Sequence, residues 1–340
     1  MTTTMRKAIT AALHDVMEAH GDAIMLGEAL DTRGGASEIT YGFLERYGSR
    51  RVIETPISEN ALTGMALGAA VAGLRVIAEI YSADFLVCAG SEVVNDIAKW
   101  RYQHQWRKPL RLVLRMPSGS AGKWSGPEHT QSIEGILNNV PGIRVVVPSN
   151  AADARRALVE AVEVGDPVIF LEHRSLYDVP AEGENGFASG PDASSPVLAG
   201  RLVHQGDAVT IVAWGAMQRA ARQAAHALAD EGIFVDLIDP VTVKPMNHRL
   251  IHDSVARTSR LLVVDEGPRT GSVAAEVIVR TLEDAPHPPK SFRRLNFPDA
   301  HHPFDPRLEA ALLPSKDLIV ASVKALMGNA CQAESLATTG

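Results

Sequence analysis

TPISENALTGMALGAAVAGLRVIAEIYSADF, residues 55–85, decides the fold. It closes one apolar run, RVIETP (51–56), crosses a small-residue segment of helical length, and enters a second run, RVIAEIY (75–81). Pro56 ends the first strand and Ser58 can cap a helix running to about Gly73, which puts Glu59 in its first turn. The segment NALTGMALGAAVAG (60–73) is apolar nearly all round and holds three glycines. Such a helix is expected to be fully buried, as a core helix, as a helix at a large subunit interface, or as both.

Outward from this unit the same rhythm continues. AIMLGE (23–28), LRLVLRM (110–116), RVVVP (144–148) and PVIFLEH (167–173) read as strands separated by helical patterns. Thr4 can cap the first helix and Asn150 the one through Val164. Short β-branched runs alternating with helices indicate βαβ units and a parallel sheet covered on both faces. From Pro180 to Gly206 the chain turns rich in Gly, Ser, Pro and Ala and reads as a linker with one short strand, LAGRLVHQG. The alternation then restarts with VTIVAWG (209–215), FVDLIDP (234–240) and RLLVVDEG (260–267), with helices near 216–231, 247–258 and 271–284. A strand near FRRLNFP and a helix after Ser315 close a second unit. The expected fold class is α/β with two doubly wound domains, residues 1–180 and 207–328, joined by a linker at 181–206 and followed by a flexible tail at 329–340.

The 340 residues suffice for two cores, and 46% hydrophobic with 21% charged residues is ordinary for a soluble globular chain. A net charge of -7 argues against nucleic acid as the main partner. No run is long and apolar enough to cross a bilayer. The N-terminus reads as an amphipathic helix rather than a signal peptide. Cys88 and Cys331 suggest neither a disulfide framework nor a zinc cluster, so a cytoplasmic location and no metal ligands are expected.

Three clusters follow the carboxyl ends of the expected strands, where open α/β sheets bind ligands. They are TPISEN (55–60), EIYSADF (79–85) and GSAGKWSGPEHTQSIEG (119–135), a glycine-rich loop with His129 where a helix begins. Glu59 either complements the helix dipole or, surrounded by Ile57, Ala61, Leu62 and Met65, is desolvated and retains a proton. His129 is either a solvated loop histidine or a proton-transfer group. Phe85 is either core or a ring-binding wall.

These motifs in this order, with LGE, PGIRVVVPSNAADAR and SRLLVVDEG, resemble the β chain of pyruvate, branched-chain and acetoin dehydrogenase E1 components. The resemblance runs from about Lys7 to Met327. It implies an N-terminal pyrimidine-binding thiamine-diphosphate domain and a transketolase C-terminal-like domain. It also implies thiamine-diphosphate-dependent decarboxylation of a 2-oxoacid, with transfer of the acyl unit to a lipoyl carrier. Glu59 would hydrogen-bond the pyrimidine N1′ and favour its imino tautomer. Phe85 would stack on the aminopyrimidine, with Ile57 and Tyr81 near the same ring. His129 would handle protons or charge during acyl transfer. Glu28 would lie at the contact between chains near the cofactor.

A motif is missing. Gly-Asp occurs at Gly21, Gly165 and Gly206 and never continues with a second Gly, and Asn138-Asn139 has no such partner upstream. The ligand set for Mg²⁺ and the diphosphate therefore cannot be assembled here. The resemblance places them on an α subunit, in an α₂β₂ heterotetramer that docks on a lipoyl acyltransferase E2 or a related acyl-carrier protein. Tyr81 and Ser82 stand where many bacterial relatives carry Gln and Phe, and GPEHTQSIE departs from the usual HSQ loop. Lys123 reads as a solvated loop lysine or as a clamp for a substrate anion, beside Trp124. Two alternatives follow: a split transketolase-like enzyme moving a two-carbon unit from a ketose phosphate to a carrier thiol, and a non-catalytic scaffold subunit of the same fold.

Overall fold

A computed structural model describes residues 3–105, 107–122, 125–181 and 196–328. Two sheets carry the chain. The first comprises β1 (Ala23–Glu28), β2 (Val52–Thr55), β3 (Arg75–Glu79), β4 (Leu112–Ser118), β5 (Arg144–Val146) and β6 (Val168–His173), all parallel. The second comprises β7 (Arg201–His204), β8 (Thr210–Ala213), β9 (Asp236–Asp239), β11 (Arg260–Pro268) and β12 (Ser291–Phe297). The remaining strand, β10 (Thr242–Lys244), leaves the second unit and adds antiparallel to β5, giving the order β10-β5-β6-β4-β3-β1-β2. In the second sheet the order is β12-β11-β8-β9-β7, with β7 antiparallel to β9. This is the expected class of two α/β domains. The short strand expected in LAGRLVHQG is β7, and residues 182–195 of the expected linker lie outside the described residues.

Both faces of the first sheet are covered, as near-continuous apolar strands require. Ile24, Leu26, Val76, Ala78, Leu112 and Leu114 pack on one face. Their neighbours Ala23, Met25, Ile77 and Val113 pack on the other, under the helices Met5–Ala19 and Ala151–Glu163. The first of these cores continues into Val212, Ile238, Leu261 and Val263 of the second sheet, so the two domains share apolar packing. Thr4 and Asn150 cap their helices as expected, accepting from the backbone N–H of Lys7 and Asp153.

Two local expectations change. Ser58 precedes the helix Glu59–Val71 but makes no side-chain cap; its Oγ donates to Asn60 Oδ1 at 2.8 Å instead. The helix itself is not fully buried. Leu62, Thr63, Ala66, Leu67 and Ala70 face the core, whereas Asn60, Ala61, Gly64, Met65 and Gly68 lie open, because none of the described residues packs on that side. Cys88 is exposed and unpaired, and no helix among the described residues is long and apolar enough to cross a membrane.

Candidate active site at the carboxyl edge of the first sheet

Strand order gathers the three clusters. Chain connections run from β1 to β2 on one side and from β3 to β4 on the other, so the order reverses between β1 and β3. Crevices at such reversals are the usual ligand sites of open α/β sheets. Glu28 ends β1, Glu59 follows β2, Tyr81 and Phe85 follow β3, and the loop with His129 follows β4. Four adjacent strands at ordinary spacing confine these groups to a front about 14 Å wide. The glycine of LGE has a packing reason: a Cβ on Gly27 would meet Leu30 Cδ2 at 2.9 Å and Glu79 Cβ at 3.1 Å.

On the β1–β2 side, Glu28 is buried and Glu59 half-buried in the first turn of its helix. Burial pushes the Glu28 carboxyl above the usual range and the charge of Glu59 adds to this, with the Ser58 backbone N–H working against both. Of the four apolar residues expected around Glu59, Leu62 is buried, but Ile57 is 82% and Met65 47% exposed, and Ala61 is open. Within one chain the carboxylate is therefore walled on one side only.

On the β3–β4 side, the rings of Phe85 and His129 meet edge to face, centroids 5.3 Å apart. Asp84 fixes this arrangement. Its Oδ1 accepts both the backbone N–H of Gln131 (3.1 Å) and its side-chain amide (3.0 Å), and its Oδ2 accepts the Ser82 hydroxyl at 2.5 Å. Arg174 donates to Ser82 Oγ at 2.5 Å, and Tyr81, half-buried, lies within electrostatic reach of that guanidinium. His129 does not begin a helix. It sits in a turn, its N–H donating to Gly126 O at 3.3 Å, and the next helix is Glu134–Asn138. Lys123 and Trp124 lie outside the described residues.

A further group escaped the sequence reading. His173, at the end of β6, meets Glu266 of β11 at 2.6 Å, and Glu266 also accepts the Ser120 backbone N–H at 2.6 Å. Burial works to raise the Glu266 carboxyl, but the charge and hydrogen bond of His173, the Ser120 backbone N–H and the charge of His302 together outweigh it and leave it below the usual range. Beside it, burial pushes Glu134 up to about 8, with the charges of Asp265 and Glu266 adding to the shift. The strand ends PVIFLEH and RLLVVDEG were legible, but nothing local says that residues 93 positions apart meet.

The edge is suited to half of a site for a flat heteroaromatic ring. Glu28 Oε1 is buried with no hydrogen-bond partner among the described residues, Ile57 presents bare apolar surface, and Phe85 supplies an aromatic face. Among the described residues no group of three or more His, Cys, Asp or Glu is placed to hold a metal ion.

Comparison with known proteins agrees with this architecture. Residues 1–180 match the family "Transketolase, pyrimidine binding domain" and residues 199–319 match "Transketolase, C-terminal domain". The chain is 33% identical to the 2-oxoisovalerate dehydrogenase subunit beta of Bacillus subtilis (strain 168), over 94% of this chain and 97% of that one. It is 34% identical to the mitochondrial pyruvate dehydrogenase E1 component subunit beta-1 of Arabidopsis thaliana, over 95% and 89%. A solved structure titled "Split gene transketolase, inactive beta4 tetramer" superposes with a TM-score of 0.75 at 22% identity, covering 96% of this chain and 99% of that one, which shows a shared fold. With its two domains in this order and this identity along nearly its whole length, the chain belongs to the family of 2-oxoacid dehydrogenase E1 β subunits, on the transketolase fold.

Proposed function

We propose that this chain is the β subunit of a thiamine-diphosphate-dependent E1 enzyme that decarboxylates a 2-oxoacid and passes the acyl unit to a lipoyl carrier. The observation that carries the reading is the pair Glu28 and Glu59 at the head of the helix Glu59–Val71, beside the uncovered Ile57. Burial, with the charge of Glu59 beside it, makes the Glu28 carboxyl retain its proton more readily than an isolated carboxyl does. Glu59 would hydrogen-bond the pyrimidine N1′, Phe85 and Ile57 would pack on the ring, and Tyr81 would lie beside them. When bound, the cofactor supplies an electron sink for the charge left by decarboxylation. His129, edge-on to Phe85, would move a proton as the acyl unit reaches the lipoyl thiol.

The open side of Glu59 and the bare face of its helix support a partner α subunit that completes the pocket and holds Mg²⁺ and the diphosphate, in an α₂β₂ heterotetramer serving a lipoyl acyltransferase E2. The cytoplasm is the proposed location, in keeping with the free Cys88 thiol. Glu59→Gln in the reconstituted complex tests the assignment. Loss of the carboxyl proton should lower kcat on the order of 10²-fold or more. Unchanged turnover would remove the catalytic role and favour a scaffold subunit.

A further inference from the structure

Carboxylates of the second domain grip the loop that carries His129. The Ser120 backbone N–H donates to Glu266 Oε1 at 2.6 Å, and the Gly122 N–H donates to Glu309 Oε2 at 3.1 Å. An imidazole backs each carboxylate: His173 Nε2 lies 2.6 Å from Glu266 Oε2, and His302 Nδ1 lies 3.4 Å from Glu309 Oε1. All four side chains are buried. The Phe304 ring, two residues beyond His302, sits over Gly126, where any Cβ would strike it.

The loop needs such a grip. Gly119, Gly122 and Gly126 adopt φ of +73°, +62° and +71°, a region glycine enters as readily as any other, so the backbone has no preference of its own to rest in. Hydrogen bonds from backbone amides to buried carboxylates are charge-assisted and directional. Past the grip, Gly119 N–H donates to Gln131 O at 3.1 Å and Gln131 is clamped to Asp84. His129 is thus strung between Gly126, held by Phe304, and Gln131.

We propose that Glu266 and Glu309 are positioning residues: from the second domain they set the course of residues 119–122 and, through the Gly119–Gln131 hydrogen bond, the placement of His129 against Phe85. The proposal rests on the reading of His129 as a working residue of the site. It gives the second domain a role at the active-site edge, acting on backbone amides of this loop.

Amide hydrogen exchange and steady-state kinetics on the assembled complex test it. In Glu309→Ala, exchange at residues 119–122 should quicken and kcat should fall roughly tenfold, the size set by one charge-assisted hydrogen bond, while the thiamine diphosphate concentration for half activation stays unchanged. Glu309→Gln retains an acceptor oxygen and should restore most of kcat. If Glu309→Ala does not fold, Phe304→Ala loosens the same loop from an exposed position, 62% accessible, and should show the same split. Unchanged exchange, quickened exchange with normal kcat, or equal loss in the Gln variant would each overturn the proposal. If His129→Ala is itself silent, the reading of the site fails with it. If His129→Ala is impaired and Glu309→Ala is not, only the positioning role falls.

Discussion

The imidazole of His129 stands edge to face with the Phe85 ring, planes inclined at 81° and centroids 5.3 Å apart. An edge-to-face pair of this kind contributes about 0.5–1.5 kcal/mol beyond the area it buries, so each ring helps to orient the other. His129→Ala should impair acyl transfer to a lipoyl acceptor more than decarboxylation followed with an artificial electron acceptor. Equal loss in the two half-reactions would end that division of labour.

Among the described residues the proposed ring site is walled on one side, since Ile57 is bare and Ala61 and Met65 are open. The isolated chain should therefore bind thiamine diphosphate weakly and turn over no substrate. Titration calorimetry on the purified subunit checks this, and dissociation constants of about 1 μM or tighter, worth about 8 kcal/mol, would contradict a site split between chains.

Much of this was legible because it is local. β-branched runs marked the sheet strands to within a few residues, and the small-residue helix and the three clusters at the carboxyl edge followed from strand order. What failed was tertiary. β10 is three residues between Pro240 and Pro245, too short to read as a strand, and it exists because β5 offers an edge. His173 and Glu266 sat unremarked at the ends of recognised strands, because only the docking of two domains makes them partners. Ser58 lost its capping role to a neighbour, Asn60, that competes for the same hydroxyl. The helix Glu59–Val71 looked wholly internal because glycine and alanine read as apolar whether they face a core or another subunit.

That bare helix face gives a clean separation of folding from assembly. A side chain built on Gly64 meets nothing within 4 Å, and Gly64 is not at positive φ. Gly64→Glu should leave the thermal midpoint of the isolated chain unchanged or slightly raised, since replacing a helical glycine gains about 0.5–1 kcal/mol. It should abolish heterotetramer formation by placing an unpaired charge in the interface. Light scattering after mixing with the α subunit reads the outcome, and normal assembly would show that this face is not covered by a partner.

Glu134 gives the molecule a pH signature. Burial lifts its carboxyl from 4.5 to about 8, with Asp265 and Glu266 adding to the shift and its own backbone N–H opposing it. A carboxyl raised on folding retains its proton in the native state after the unfolded chain has lost it. Its contribution to stability is thus complete below the unfolded value and is lost as pH rises through about 8. Asp265, raised to about 6, adds a slope of the same sign at lower pH, so the window from about 6 to about 8 isolates Glu134. Glu134→Gln is nearly isosteric and cannot ionise. Relative to the parent, it should gain about 1.4 kcal/mol per pH unit across that window in chemical denaturation, the linkage for one proton. Parallel stability curves for the two proteins would mean that Glu134 is ionised in the native state, and that the Asp265–Glu266 strand end tolerates a third negative charge beside it.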